Sequence, residues 1–418
     1  MPTEVLAMET VVLIGTLDTK GNEYEFVMDR IRSAGCEVIV IDVGVLGSPR
    51  ISPHLTREDV ARAAGTDIGV LIERNDRGFA MERMAAGAAE LVRKLYQEGR
   101  LHGVLALGGS GGSSIATHAM RALPVGVPKL MVSTIASGDI RSYVGQSDIT
   151  MMYSVVDIAG INSLSEKILA NAAAAISGMA RASAAYKPHQ QARPLVSVSM
   201  FGVTSPCVLQ ARDWLEARGY EVLVFHANGS GGRAMEGLMK DGFIRASLDL
   251  TTTELADEWV GGMLSAGADR LETAGRLGIP QVVSLGALDM VNFGTPDTVP
   301  ARFQGRTLYR HNPNVTLMRT TADECAELGK IIGRKLNMAT GPVSVFIPLK
   351  GISSIAKQGE VFYDPQADRA LVDNLRQVLA PHIEVVIMDT DINDPVFAQA
   401  MAEKLDAYIK YSEVLRHE

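Results

Sequence analysis

The chain has 418 residues, 47% of them hydrophobic and 21% charged, with 40 basic and 48 acidic side chains for a net charge of −8. That length suits two to three domains of about 150 residues each, and the hydrophobicity and the lack of a Gly-X-Y period exclude a disordered or collagenous chain. The acidic balance and the 5% aromatic content argue against a general polyanion-binding surface or a base-stacking module, while backbone amides remain able to hold a single phosphate.

The first apolar run, Val11–Ile14, is continuous, as expected of a strand covered on both faces of a parallel sheet. The loop Gly15–Gly21 follows, then a helix over Glu23–Ala34 with Phe26, Val27 and Ile31 at helical spacing and Gly35 as its stop, then a strand over Val38–Val43. This is a βαβ unit. A helix over Ala80–Gly99 leads into a strand at Gly103–Leu107, a glycine run at Gly108–Gly112 and a helix over Ser113–Ala122. The strand Lys129–Thr134 then runs into Ile135–Asp139.

The polar stretch Arg181–Pro194, with two prolines, reads as a linker. It separates a first domain, residues 1–180, from a second, residues 195–418. The same grammar restarts there, with a strand over Val196–Val203, a helix entered through Thr204-Ser205-Pro206, a strand over Glu221–His226, and the run Asn228–Gly232 before another helix. The fold class is therefore α/β, with two Rossmann-like subdomains of parallel sheets flanked by helices. "RSAGCEVIVIDVG" and "EARGYEVLVFHANG" align, and Gly-Ser-Gly-Gly occurs once in each half, which suggests a duplicated architecture.

Site candidates cluster at strand ends. In a doubly wound sheet the loop after the first strand faces the ligand crevice, so Lys20 is a candidate point charge for a phosphate and Asp18 for a magnesium ion. The plainer alternative is a helix capped by Asp18 or Thr19. Gly109, Ser110, Gly111, Gly112 and Ser113 are the denser signal, because so many glycines are expected where successive amides form an anion nest. Asp42, at the end of the second strand, stands where a dinucleotide-binding fold places a ribose-binding acid. Arg77 precedes a helix within reach of a neighbouring loop. Asp157 is expected to be buried among apolar residues. In the second half Asn228, Gly231, Gly232, Arg233 and Glu236 form a candidate substrate site for a carboxylate or phosphate. Ser284–Asp289, Asn292 and Pro348–Ser354 add polar groups at the same sheet edge.

The three cysteines are far apart, with no CxxC, and the histidines follow no zinc-binding pattern. The N-terminus has no basic n-region, and the longest apolar stretch, near residues 168–180, is too short for a membrane span. A cytoplasmic protein without membrane or nucleic-acid partners is expected. No catalytic residue is singled out.

"VLIGTLDTKGNE", "VLALGGSGGSS", "STIASGDIRSYVGQSDITMMYSVVDIAGIN", "FHANGSGGRAME" and "SLGALDMVNFG" occur in that order. With them the chain resembles the family of the tomato mosaic virus resistance protein over nearly its whole length. The resemblance implies two Rossmann-like subdomains, a homodimer, and ATP bound with magnesium in the N-terminal subdomain. It places the family's Asp-Thr-Lys element on Asp18, Thr19 and Lys20, its phosphate loop on Gly109, Ser110, Gly111 and Gly112, and an arginine on Arg77. Two functional readings follow. One is an ATP-dependent enzyme acting on a small metabolite in a cleft between the subdomains, and the other a non-catalytic, nucleotide-stabilised binding or regulatory dimer.

Overall fold

The computed structural model describes residues 8–186 and 193–417. The chain divides into two compact units, Met1–His189 and Gln190–Glu418.

Unit 1 runs β1 (Thr10–Gly15), α1 (Leu17–Ser33), β2 (Glu37–Asp42), α2 (Arg57–Ala63), α3 (Ile68–Arg74), α4 (Arg77–Gln97), β3 (Gly103–Gly108), α5 (Ser110–Met120), β4 (Lys129–Ser133), α6 (Arg141–Val144), β5 (Thr150–Tyr153) and α7 (Ser163–Ala185). Its five strands are all parallel, in the order β2-β1-β3-β4-β5. Alternate residues of each strand feed two cores. Val12, Ile14, Val104, Ala106 and Met131 meet α2, α4 and α5, while Val11, Leu13, Leu105, Leu107 and Val132 meet α1 and α7. Burial on both faces is why these strands read as unbroken apolar runs.

The chain turns from one side of the sheet to the other between β1 and β3, and there Tyr24 of α1 ties the two strands. The ladder pairs Val11 through Ile14 with Gly103 through Ala106. Just beyond it the Tyr24 hydroxyl accepts the Leu107 amide at 2.8 Å and donates to the Ile14 carbonyl at 2.5 Å. Burial pushes that hydroxyl's pKa well up, keeping it protonated as the donor. Gly15 makes the contact sterically feasible, since a Cβ there would lie 2.0 Å from Tyr24 Cζ.

Unit 2 runs β6 (Leu195–Met200), α8 (Ser205–Glu216), β7 (Glu221–His226), α9 (Ser230–Lys240), β8 (Ile244–Thr251), α10 (Glu254–Val260), α11 (Thr273–Arg276), β9 (Gln281–Gly286), β10 (Met290–Phe293), β11 (Leu308–Asn312), β12 (Val315–Arg319), α12 (Ala322–Leu336), β13 (Val343–Pro348), α13 (Pro365–Val378), β14 (Glu384–Met388) and α14 (Pro395–His417). Six strands form a parallel sheet in the order β14-β13-β9-β8-β6-β7. Taken from β7, the first five places follow the same pattern of crossings as unit 1. A three-stranded antiparallel sheet, β10-β12-β11, has no counterpart in the sequence-based expectation.

Several boundaries differ from expectation. Helix α1 starts at Leu17, so the expected loop Gly15–Gly21 is mostly helix, kinked at Lys20. Helix α5 starts at Ser110, inside the glycine run. The stretch expected as a linker from Arg181 is helical as far as Ala185, in keeping with its alanines, and residues 187–192 of it lie outside the described residues. The three cysteines are free and buried. Among the described residues, no helix is long and apolar enough to cross a membrane.

Replacing Tyr24 with phenylalanine removes the hydroxyl and leaves the buried Leu107 amide and Ile14 carbonyl without that partner. A loss of about 1–3 kcal/mol is expected, read as a lower urea midpoint of the full chain; an unchanged midpoint would deny the tie its role.

Candidate anion-binding site

A helix begins with amides that have no intrahelical acceptor. Among the described residues, every helix of eight or more residues except one offers a side chain to them. Asp42 Oδ1 accepts the Leu17 amide of α1 at 3.1 Å. Asp76, Asn162, Thr321 and Asp364 cap α4, α7, α12 and α13. Asn393 accepts from Cys207 of α8 at 3.3 Å, and Asp394 from Val396 of α14 at 2.8 Å. Asn228 and Glu254 serve α9. The exception is α5. Its N-cap is Gly109, with no side-chain hydrogen bond, and the amides of Ser110, Gly111 and Gly112 find no acceptor among the described residues. The Ser113 amide bonds the Gly109 carbonyl at 2.9 Å.

Arg77, the first residue of α4, lies against this open start. A Cβ built on Gly111 would be 3.4 Å from Arg77 Nη2. The guanidinium is exposed and makes no ion pair or hydrogen bond with the described residues. Three amides at the positive end of a helix dipole, with one unpaired guanidinium beside them, favour an anion. The position is also the crevice of a sheet ordered 2-1-3-4-5, where α1 and α5 leave adjacent strands on opposite faces.

Other expected members of this site are placed differently. Ser113 is fully buried, its hydroxyl 2.6 Å from that of Ser133, so it pins α5 to β4 and does not face a ligand. Asp42 is 1% exposed. Its Oδ1 accepts the amides of Leu17 at 3.1 Å and Gly44 at 2.9 Å, and burial raises its pKa. It shapes the strand end through Oδ1, while Oδ2 has no hydrogen bond among the described residues. Thr19 is exposed, its hydroxyl 2.9 Å from that of Thr16. Lys20 is half-buried and donates to the Ile158 carbonyl. Asp157 is exposed, not buried, and accepts its neighbour's amide at 2.8 Å. Asp139 pairs in solvent with Arg141, whose hydrogen bonds hold its carboxyl down at about 2.

Asp18, the magnesium candidate, has one carboxylate oxygen bonded and the other open. Its Oδ2 accepts the Gly47 amide at 3.0 Å, while Oδ1 is buried without a partner. A Cβ on Gly44 would lie 2.8 Å from that oxygen. No group of three or more His, Cys, Asp or Glu residues arranged for a metal occurs among the described residues.

In the second half the candidate groups are bonded to the chain's own side chains and carbonyls. Glu254 Oε1 accepts the amides of Gly229 at 2.7 Å and Gly232 at 3.0 Å, so a carboxylate already fills the start of α9. A Cβ on Gly232 would lie 2.1 Å from Glu254 Oε2. Asn228 accepts from the Ser230 hydroxyl and the Gly231 amide, and Arg233 donates to the Ser265 carbonyl at 2.8 Å. Glu236 is buried, accepting the amides of Leu271 at 2.6 Å and Thr273 at 3.2 Å.

Behind these groups lies Arg270, 1% exposed. It bonds Asp249 at 2.5 and 2.7 Å and Glu254 at 2.7 Å, with Glu236 at 3.6 Å. Burial opposes its charge, but the three carboxylates outweigh that and hold its pKa well above the ordinary value. The polar groups after β9 and β13 are interior ties as well. Ser353 donates to Asp289 at 2.8 Å, and Asn292 donates to Asp257 through its side chain at 2.6 Å and its backbone at 2.9 Å.

Fold and geometry together define a doubly wound α/β protein with an anion-receptive helix start in the first of its two units. The chain belongs to the uncharacterised protein family UPF0261, whose N-terminal domain matches residues 9–185 and C-terminal domain residues 193–409. It is similar to a UPF0261 protein of Clostridium tetani, 54% identical over 94% of this chain and 98% of that one. It is also similar to the ToMV resistance protein Tm-1(GCR237) of Solanum lycopersicum, 39% identical over 97% of this chain but only 56% of the tomato protein. Among solved structures, a UDP-N-acetylglucosamine 2-epimerase from Rickettsia bellii aligns over 97% of this chain and 98% of that chain at 9% identity, with a TM-score of 0.23. So low a score carries no argument about this chain.

Two outcomes follow for unit 2. Arg270→Met strands three buried carboxylates and is expected to cost about 3–5 kcal/mol in denaturant unfolding; a cost below 1 kcal/mol would mean the cluster is not the tie described. Burial, in part offset by the Asn292 bonds, pushes the Asp257 carboxyl up to about 7. Between the unfolded value of about 4 and that value the native state keeps a proton the unfolded chain has released. Stability should therefore fall as pH rises through this window, and Asp257→Asn should flatten the slope; a wild-type curve that rises there excludes the buried-acid account.

Proposed function

We propose that unit 1 binds the phosphate end of a nucleotide, ATP being the ligand that the family resemblance implies. The reading is supported above all by the open start of α5, where, among the described residues, three amides have no acceptor and Arg77 has no partner. One terminal phosphate would accept from Ser110, Gly111 and Gly112, with Arg77 neutralising charge. Lys20 lies one turn into the helix after the adjacent strand, as a second cation for the phosphate chain. Any magnesium would be carried by phosphate oxygens and water, with Asp18 Oδ1 as the candidate protein oxygen. The overall charge of −8 does not oppose this, because the interaction is local and made mostly of dipoles.

No second phosphate site is proposed in unit 2, because Glu254 holds the corresponding amides. The same word, Gly-Ser-Gly-Gly, therefore supports a ligand in one half only.

Calorimetry of the full chain with ATP, and separately with inorganic tripolyphosphate, tests the reading. Arg77→Ala should weaken both ligands by about tenfold or more, the value of a charge-assisted hydrogen bond. Gly111→Val, which crowds Arg77 and covers the amides, should abolish binding with circular dichroism unchanged. Absent binding to wild type, or equal affinities in both variants, would sink the proposal.

A further inference from the structure

The segment after β5 is held in a conformation that its own sequence does not favour. Val155 has a φ of 64°, in the left-handed region where a β-branched residue is a genuine outlier. Val155 and Val156 remain 55% and 36% exposed, and the segment's apolar anchor is Ile158, 2% exposed, three residues on from Val155. Underneath is a cavity of about 10 Å³ whose lining includes Ser154, Ile158, Ser165 and Leu169. The turn is closed locally, with the Val156 amide and the Ser154 carbonyl at 2.7 Å and the Ser154 hydroxyl donating to the Val156 carbonyl at 2.7 Å.

Two side chains of α1 hold the far end of this segment. Glu23, buried, accepts the Gly160 amide at 2.6 Å. Lys20 donates to the Ile158 carbonyl, placed to do so by the break in helical geometry at its own position, φ −124° and ψ 24°. Lys20 forms no ion pair with the described residues, so a neutral carbonyl is its partner. A phosphate oxygen is a stronger acceptor for an ammonium than a carbonyl is. Lys20 also belongs to the strand-end edge of the open α5 start, because β1 and β3 are neighbours.

We infer that residues 154–160 form a ligand-operated switch whose catch is Lys20. When a phosphate-bearing ligand takes the ammonium, the Ile158 carbonyl is released, the Glu23 and Ser165 bonds to Gly160 and the buried Ile158 side chain still anchor the far end, and Val155 is free to leave the left-handed region. The differential needed to shift the equilibrium is the gain of a phosphate contact in the open form together with the relief of Val155. The inference rests on the ligand reading above.

Hydrogen exchange of the full chain, with calorimetry in the same buffer, tests it. Saturating ATP should speed exchange of the amides of residues 155–161 by about tenfold or more, the value of one charged hydrogen bond. Lys20→Ala should give the fast exchange without ligand, and ATP should then add nothing. Val155→Asn, a residue that tolerates positive φ, should slow the baseline exchange, and this variant decides the matter if Lys20→Ala does not fold. ATP binding with exchange unchanged would overturn the switch and leave the ligand reading intact. Absence of ATP binding would overturn both, and baseline exchange unaltered by Val155→Asn would overturn the switch.

Discussion

The need of helix-start amides for acceptors organises this molecule. Parallel strands deliver one helix after another to the same sheet edge, and each arrives with donors that its own turns cannot satisfy. Asp42 in unit 1, and Asn393 and Glu254 in unit 2, come from other parts of the chain to meet them. Glu254, with both oxygens bonded in this way, is unavailable for chemistry on a ligand. What remains open is the start of α5, which has glycine at the N-cap, no acid in its first turn and no side-chain acceptor among the described residues. The site is thus defined as much by where acceptors are missing as by what is present.

The sheets were legible because their residues carry a local signal. Strands buried on both faces leave continuous apolar runs, and Val11–Ile14, Gly103–Leu107 and Lys129–Thr134 read correctly within a residue or two. The small antiparallel sheet was not legible, since β11, Leu-Tyr-Arg-His-Asn, is largely exposed and has no apolar pattern. Helices α1 and α5 start earlier than their glycines suggest, because glycine also permits close approach within a first turn.

Site residues divide along the same line. The glycine run and Arg77 have a composition or position that points outward, and they meet in space. Glu254 and Arg270 carry no such signal, for nothing in "TTTELADEW" says that its acid reaches back to Gly229. Tyr24 is equally silent, an aromatic residue on a helix whose hydroxyl happens to close the gap between two strands. The two units follow the same order of strand crossings, yet the shared Gly-Ser-Gly-Gly comes after β3 in one and β7 in the other. Duplicated architecture therefore does not imply duplicated chemistry, because whether a nest receives a ligand is decided by a distant side chain.

The cluster around Arg270 also bears on how the chain is made. Synthesis proceeds from the N-terminus, so Glu236, Asp249 and Glu254 leave the ribosome ahead of the one guanidinium that balances them. Burying them early would strand uncompensated charge in a low-dielectric interior. This part of unit 2 is therefore costly to close before residue 270 has emerged, and its sheet must wait longer still, because β9, the neighbour of β8, lies at Gln281–Gly286.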